Sequence, residues 1–515
     1  MPLRPFNREQ VWLLPPTLGE LISNDHPARF VAGFVDSLDR AAWMGLGIGL
    51  DGEPLGAPAY HPRVLLCVWL YGFMTGIRSS RKLEVACRDQ VPYLWLTGWQ
   101  HPDHNTLWRF YQAHRDTMRR LLKYTVATAI ELELVDLAVQ AIDGTKIAAN
   151  AAGDRTYSKA ELQRLLERTE TAISELEAQN EGGDESPVPH LPEELQTANK
   201  LRQRIKDAMN HLSQHVKMKR VNLTDEDAQL MKGRHGIITG YNAQAMVSPL
   251  NAEITKGNGM LITAVEVVDS ASDTGQLVPM LEQTEDITGI RTPVTLADGG
   301  YHTAANLEAG ESRGQMLVMT ERYHSELRGP YFKDNFIFNA KTDSYLCPHG
   351  HHLHFSGFRR SKYHASERYR VYRTSRTDCR TCPAFGICTR DKHAGRVLWI
   401  SSSDELLQKH RQWMNTDEAQ TLYARRKELN EPAFGIIKEQ MHGRGFLLRG
   451  LSNVQAEFHL LATAFNLRML WRVWSKLGKL SNKIRGVITD RLSPTCQIYG
   501  FFGLNSRVPS IFNFS

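Results

Sequence analysis

Three acids, Asp143, Asp298 and Glu431, stand in contexts that could deliver carboxylates to one point. Asp143 closes the strand-like run Val139-Gln-Ala-Ile-Asp143; Gly144 then lets the backbone turn, and Lys146 follows within reach of anything bound there. Val294-Thr-Leu-Ala-Asp298 repeats the device, followed by Gly299, Gly300, Tyr301, His302 and a helical pattern from Ala304. Glu431 lies where helical periodicity resumes, in Glu428-Leu-Asn-Glu-Pro-Ala-Phe-Gly-Ile-Ile-Lys438. Two strand-end aspartates and a helical glutamate supply the oxygen ligands that Mg2+ or Mn2+ takes, and a pair of such ions can span a phosphodiester. The plainer alternative for an aspartate after a strand is turn formation, and Glu428 competes with Glu431 one turn earlier.

A second cluster has thiolate spacing. Cys379 and Cys382 form a C-x2-C pair, and Cys347 with Cys388 could complete a structural Zn2+ site. His349, His351, His352, His354 and His364 compete for the place of Cys347, and reduced, unligated thiols are the alternative. Nearby Arg359, Arg360, Lys362, Arg368, Arg370, Arg373 and Arg376 suggest phosphates. Further on, Arg468, Arg472, Lys476, Lys479 and Lys483 recur at helical spacing in a stretch without acids from Phe458 to Thr489, a stripe better neutralised by DNA than by solvent. Arg81 and Lys82 fall in the first turn of a helix capped by Ser79 or Ser80, where the dipole disfavours cations unless a phosphate joins them.

The elements that must position these residues fall into several regions. With 515 residues and 42% hydrophobic composition, the chain is too long for one core and rich enough to build roughly three or four. Residues 1–135 carry helical patterns. Within a core spanning 136–325 and 396–480, residues 155–220 read as an inserted antiparallel hairpin of two polar helices, lined by Leu162, Leu165, Leu166, Ile173 and Leu176 and by Leu201, Ile205, Met209 and Leu212. Lys217, Lys219 and Arg220 give it a basic end. Strands over 241–248, 260–268 and 315–319 alternate with helices, one of them over 273–281, which predicts an α/β mixed sheet flanked by helices. Residues 326–395 form a small Cys-rich lobe and 481–515 an aromatic tail. A net charge of +6 and a pI near 8.8 are only mildly basic, so the distribution of charge carries more than its sum. No apolar run approaches the ~18 residues of a membrane span and no signal-peptide pattern opens the chain, so a soluble, cytoplasmic protein is expected. Seven cysteines, with Cys67, Cys87 and Cys496 isolated, argue against a disulfide framework.

Asp143-Gly-Thr-Lys146, Ala297-Asp-Gly-Gly-Tyr-His302, Glu431-Pro-Ala-Phe-Gly-Ile-Ile-Lys438 and Arg444-Gly-Phe-Leu-Leu-Arg-Gly450 resemble the DDE transposases of bacterial insertion sequences. Tyr60-His-Pro62, Gly76-Ile-Arg-Ser-Ser80 and His101-Pro-Asp-His-Asn-Thr106 extend the likeness to the N-terminal region. The resemblance implies a ribonuclease-H-like core of the retroviral integrase superfamily and an N-terminal helical domain that binds DNA. It further implies cleavage at the element's terminal repeats and transfer of 3′ ends to target DNA by two metal ions on Asp143, Asp298 and Glu431. Lys146, Lys438, Arg444 and Arg449 would then contact DNA, a homodimer would form the active complex, and the protein would associate with the nucleoid. In the resembled family a tyrosine, an arginine, the glutamate and a lysine share one helix at set spacings. Tyr423 and Arg426 fit, but the step from Arg426 to Glu431 is one residue too long. Two other readings compete: a nuclease on the same core without strand transfer, and a zinc-bearing DNA-binding protein from a decayed element.

Overall fold

The computed structural model describes residues 16–50, 59–180, 193–215, 218–233, 236–255, 259–321, 329–360, 368–389, 391 and 394–477. Lys217, Lys362, His364, Lys479, Lys483, Cys496, the acidic joint 181–189 and the tail fall outside them.

The centre is a mixed six-stranded sheet of β1 (Val139–Ala148), β2 (Gln229–Gly233), β3 (Gly236–Pro249), β4 (Met260–Val268), β5 (Val294–Ala297) and β6 (Met316–Met319). β3 runs antiparallel to β1 on one side and to β2 and β4 on the other, whereas β5 is parallel to β1 and β6 parallel to β5. Flanked on both edges, β1 is apolar where it is most enclosed, with Val139, Ala141, Ile142 and Ile147 buried. The mixed sheet flanked by helices matches the sequence expectation. The helix expected over 273–281 begins later, at Leu277–Thr288, which leaves Asp273 in a loop.

The N-terminal helices include α1 (Pro62–Thr75), α2 (Ser80–Asp89), α3 (His104–Met118) and α4 (Leu121–Glu131). α5 (Lys159–Asn180) and α6 (Glu193–Gln214) form the inserted hairpin, where Leu162 packs with Ile205, Ala208 and Leu212, the pairing of opposite ends that an antiparallel arrangement requires. Short strands Thr156–Ser158 and Arg220–Asn222 close its base. Five strands, Ile337–Asn339, Ser344–Leu346, His352–Arg360, Arg368–Arg373 and Val397–Ser401, form a second, antiparallel sheet, so the Cys-rich lobe runs on to Ser401. The chain then enters α7 (Asp417–Gly435), a π-helical turn (Ile436–Gln440) and α8 (Leu451–Leu477).

α8 is buried on nearly all sides because it packs on α1, α3, α4 and β4 at once. Its one mid-helix amide, Asn466, accepts from Ile262 N at 2.8 Å, donates to Ile262 O at 2.8 Å and reaches Thr125 Oγ1, so it occupies backbone groups on the outer edge of β4. A single apolar cluster extends from Val31 and Phe34 through Trp69 and Leu122 to Val265 and Phe465, so the N-terminal helices and the sheet share one core. The joint is fastened by a buried ion pair, Arg78 Nη1 to Glu457 Oε1 at 2.7 Å. Arg78 also donates to the carbonyls of His442 and Gly445, and Glu457 accepts the N–H groups of Leu447 and Leu448. The Gly76–Ser80 and Arg444–Gly450 motifs are thus structural partners.

Candidate active site

Asp143 is not at a strand end. β1 continues to Ala148, and Asp143 pairs with Ala245 of β3. What ends near it is the pairing with β5, which covers only Val139 to Ala141. Ala141 is level with Leu296; two residues further along both strands come Asp143 and Asp298, on the same face by the two-residue side-chain period. Gly144 serves close approach instead of a turn: a Cβ there would lie 2.6 Å from Asp273 Oδ1 and 2.4 Å from Gln244 Nε2.

Asp143 Oδ1 accepts Gly144 N–H at 2.8 Å and Oδ2 pairs with Arg426 Nη1 at 3.2 Å. Burial raises its pKa to about 6, the Arg426 guanidinium works against the rise, and the negative charges of Asp298 and Asp273 add to it. Asp298 Oδ1 accepts Gly300 N–H at 2.7 Å, which fixes the turn after β5.

Asp273 is an acid the sequence reading placed in a helix and left without a role. Its Oδ1 receives Asn242 Nδ2 at 2.7 Å, Gln244 Nε2 at 2.8 Å and Lys146 Nζ at 3.3 Å. Gln244 in turn accepts the Tyr301 hydroxyl. Asn242 and Gln244 are fully buried and alternate along β3, and this polar period-two step inside an apolar strand was the available signal. Asp269-Ser-Ala-Ser-Asp273 by itself looks like any polar loop.

α7 lies across β1, β3, β5 and β6. Tyr423 meets Thr320 at 3.1 Å beyond β6, and Arg426 reaches Asp143. Asn430, four residues on, is fully buried, whereas Glu428 and Glu431 are exposed on the helix's other side. The helix continues through Pro432 and becomes irregular only afterwards, in the π turn. Lys438, within that turn, donates to Thr145 Oγ1 and to Lys146 O; burial lowers its pKa. The structure therefore brings Asp143, Asp298, Lys146 and Lys438 together, adds Asp273 and Arg426, and leaves Glu431 exposed, outside the bonds that tie this cluster.

The other expected DNA contacts are scattered. Arg81 and Lys82 are exposed at the start of α2, as are Arg472 and Lys476 on α8. Arg468 is half-buried and bonded to Met74 O and Gln440 Oε1. Arg444 pairs with Glu439 at 2.6 Å, and Arg449 donates to Asn150 O at 2.9 Å. In the lobe, Cys347, Cys379, Cys382 and Cys388 line one cavity of about 20 Å3 together with His349 and His351. Cys347 Sγ accepts His351 N–H and Cys379 Sγ accepts Arg396 N–H, both at 3.3 Å. Cys67 and Cys87 are buried elsewhere. Among the described residues, no three His, Cys, Asp or Glu side chains are already arranged to hold a metal ion.

Residues 346–471 match the transposase DDE domain family, and residues 16–113 match a transposase domain family, DUF772. The first match takes in the lobe cysteines and α7 but neither aspartate. No curated protein and no solved structure gives a significant match. Neither match covers half of the chain; together they support the resemblance to the DDE transposases of insertion sequences. Both matched families are transposase domains, which supports a DNA transposase, an enzyme class that cuts and transfers DNA. No helix of the described residues is long and apolar enough to cross a membrane.

Proposed function

We propose that this transposase cuts phosphodiesters at the ends of its own element and joins the freed 3′ hydroxyls to target DNA, with divalent ions seated on Asp143 and Asp298. The observation that carries the reading is the β1–β5 register, which sets the two carboxylates side by side where the parallel pairing stops. Sheet order and strand directions support a ribonuclease-H-like core. The residues fit Mg2+ or Mn2+: the donors are hard oxygens, and Asp143, whose pKa burial raises to about 6, also has the negative charges of Asp298 and Asp273 beside it, which a cation would offset. When bound, such an ion lowers the pKa of the attacking water or hydroxyl and offsets charge developing on the phosphate.

The chain's own part is positioning. Asp273, held by three donors, anchors Lys146 beside the aspartates. Lys146 and Lys438 present ammonium groups to phosphate oxygens. Arg426 neutralises Asp143 until substrate and ion arrive. The expected third acid, Glu431, would need about 100° of helix rotation to replace Asn430 on the inner face. Arg81, Lys82, Arg472 and Lys476, with Arg444 and Arg449, lie on exposed surface where DNA would run. A homodimer would hold the two element ends.

The four lobe cysteines fit a structural Zn2+: they share one small cavity, and two already accept backbone N–H bonds of the kind that orient thiolates.

The test supplies labelled element ends, supercoiled target and Mg2+. Asp143→Asn and Asp298→Asn abolish cleavage and leave DNA binding largely intact. Cleavage without joined product would favour the nuclease reading, and wild-type cleavage by either variant would remove that residue from the site.

A further inference from the structure

The sheet of the Cys-rich lobe carries a row of aromatic rings that runs out of its core onto the surface. Phe358 packs on Phe355 with ring centroids 5.2 Å apart, Phe355 on Tyr372 at 5.8 Å, Tyr372 on Tyr345 at 4.8 Å and Tyr345 on Phe338 at 4.9 Å. Register builds the row: Phe355 pairs with Tyr372, Tyr345 with Phe338 on one side and Leu353 on the other. Phe355 and Phe358 are three residues apart and would point to opposite faces of a regular strand; a bulge between Phe355 and Gly357 returns Phe358 to the same face. The inner part of that face is core, with Leu353, Tyr372 and Leu398 buried. The rest is open: Phe338 is 48% exposed, Phe355 37% and Phe358 61%. Apolar residues exposed singly are ordinary, whereas rings in contact on a surface indicate something that covers them.

Charge says what covers them. The five strands of this sheet carry five arginines and no acid. Arg370 stands over Phe355 at 4.7 Å and over Phe358 at 5.8 Å, and pairs with Asp343 in the turn before Ser344–Leu346. Arg360 and Arg368 are exposed beyond Phe358 and sit directly opposite each other across the hairpin. Like charges so placed repel, and an anion between them would offset the cost. Aromatic faces beside cations are the makings of a single-strand site: bases stack on the rings while phosphates meet the arginines. A duplex keeps its base faces stacked and offers phosphates and groove edges instead.

We propose that this face binds single-stranded DNA, with bases on Phe338, Phe355 and Phe358 and phosphates at Arg360, Arg368 and Arg370. The inference rests on the DNA transposase reading, whose strand cutting frees DNA ends that can unpair.

The test is fluorescence anisotropy of the full chain with a labelled oligothymidine and, separately, with a labelled duplex of the element end. Phe355→Ala and Phe358→Ala should each weaken oligothymidine binding about tenfold and leave duplex binding within about twofold of wild type. Phe358→Trp, which keeps a stacking face, should bind oligothymidine at least as tightly as wild type. Because Phe358 is mostly exposed, its substitutions should leave the melting temperature unchanged. Arg360→Gln combined with Arg368→Gln should lower the salt slope of oligothymidine binding by about 1.4. Wild-type oligothymidine affinity in both alanine variants, or an equal loss on the duplex, would overturn the proposal. A wild-type chain that holds the duplex but not oligothymidine refutes this surface alone; one that holds neither takes the DNA reading down with it.

Discussion

Asp143 titrates where a metal site can use it. Its carboxyl has an ordinary value of 3.8 and reaches about 6 in the folded chain, so between those values the folded protein takes up the proton more readily than the unfolded one. The stabilisation from that proton is complete below about pH 3.8 and is lost as pH rises through 6, leaving a buried carboxylate opposite Arg426 at neutral pH. Mn2+ affinity measured against pH should therefore fall steeply below about 6 in wild type and stay flat in Asp143→Asn. Gly144→Ala should impair cleavage and destabilise by roughly 1–3 kcal/mol in a denaturant titration, because its methyl would press on the Asp273 and Gln244 side chains. The aspartates were legible because each follows an apolar run. Asp273 was not, since only folding brings its loop to Lys146 and β3.

Among the elements, α7 shows where periodicity fails as a guide. A strict seven-residue step puts Glu431 and Lys438 on one face, and a single π turn over Ile436–Gln440, which no residue type announces, breaks that register. The Cys-rich lobe was legible as a ligand cluster, although its sheet takes in Val397–Ser401, a strand whose partner Arg368–Arg373 lies far back in the chain. If the lobe holds Zn2+, purified protein should contain about one equivalent by elemental analysis. Removing it with a chelator, or substituting Cys382→Ser, should lower the melting temperature of the lobe.

Across the whole molecule, the N-terminal helices are not an independent appendage. Arg78 and Glu457 are both buried, and Arg78 also holds two carbonyls of the segment between α7 and α8. Arg78→Ala would leave a desolvated carboxylate and should cost about 3–5 kcal/mol, read as an earlier unfolding midpoint. The sequence showed this arginine only within the Gly76–Ser80 motif; its inward direction is a property of the packed core. Exposed Arg81, Lys82, Arg472 and Lys476 retain the DNA reading. Replacing the last two with alanine should reduce the salt slope of DNA binding by about one per lost phosphate contact.

The central claim is that a divalent ion sits between Asp143 and Asp298. Replacing Mg2+ with Fe2+ and generating hydroxyl radicals at the bound metal cuts the backbone nearest the ion. The account predicts breaks at the β1 segment around Asp143 and the turn after Asp298, both lost in Asp143→Asn; breaks elsewhere, or none at either place, would contradict it.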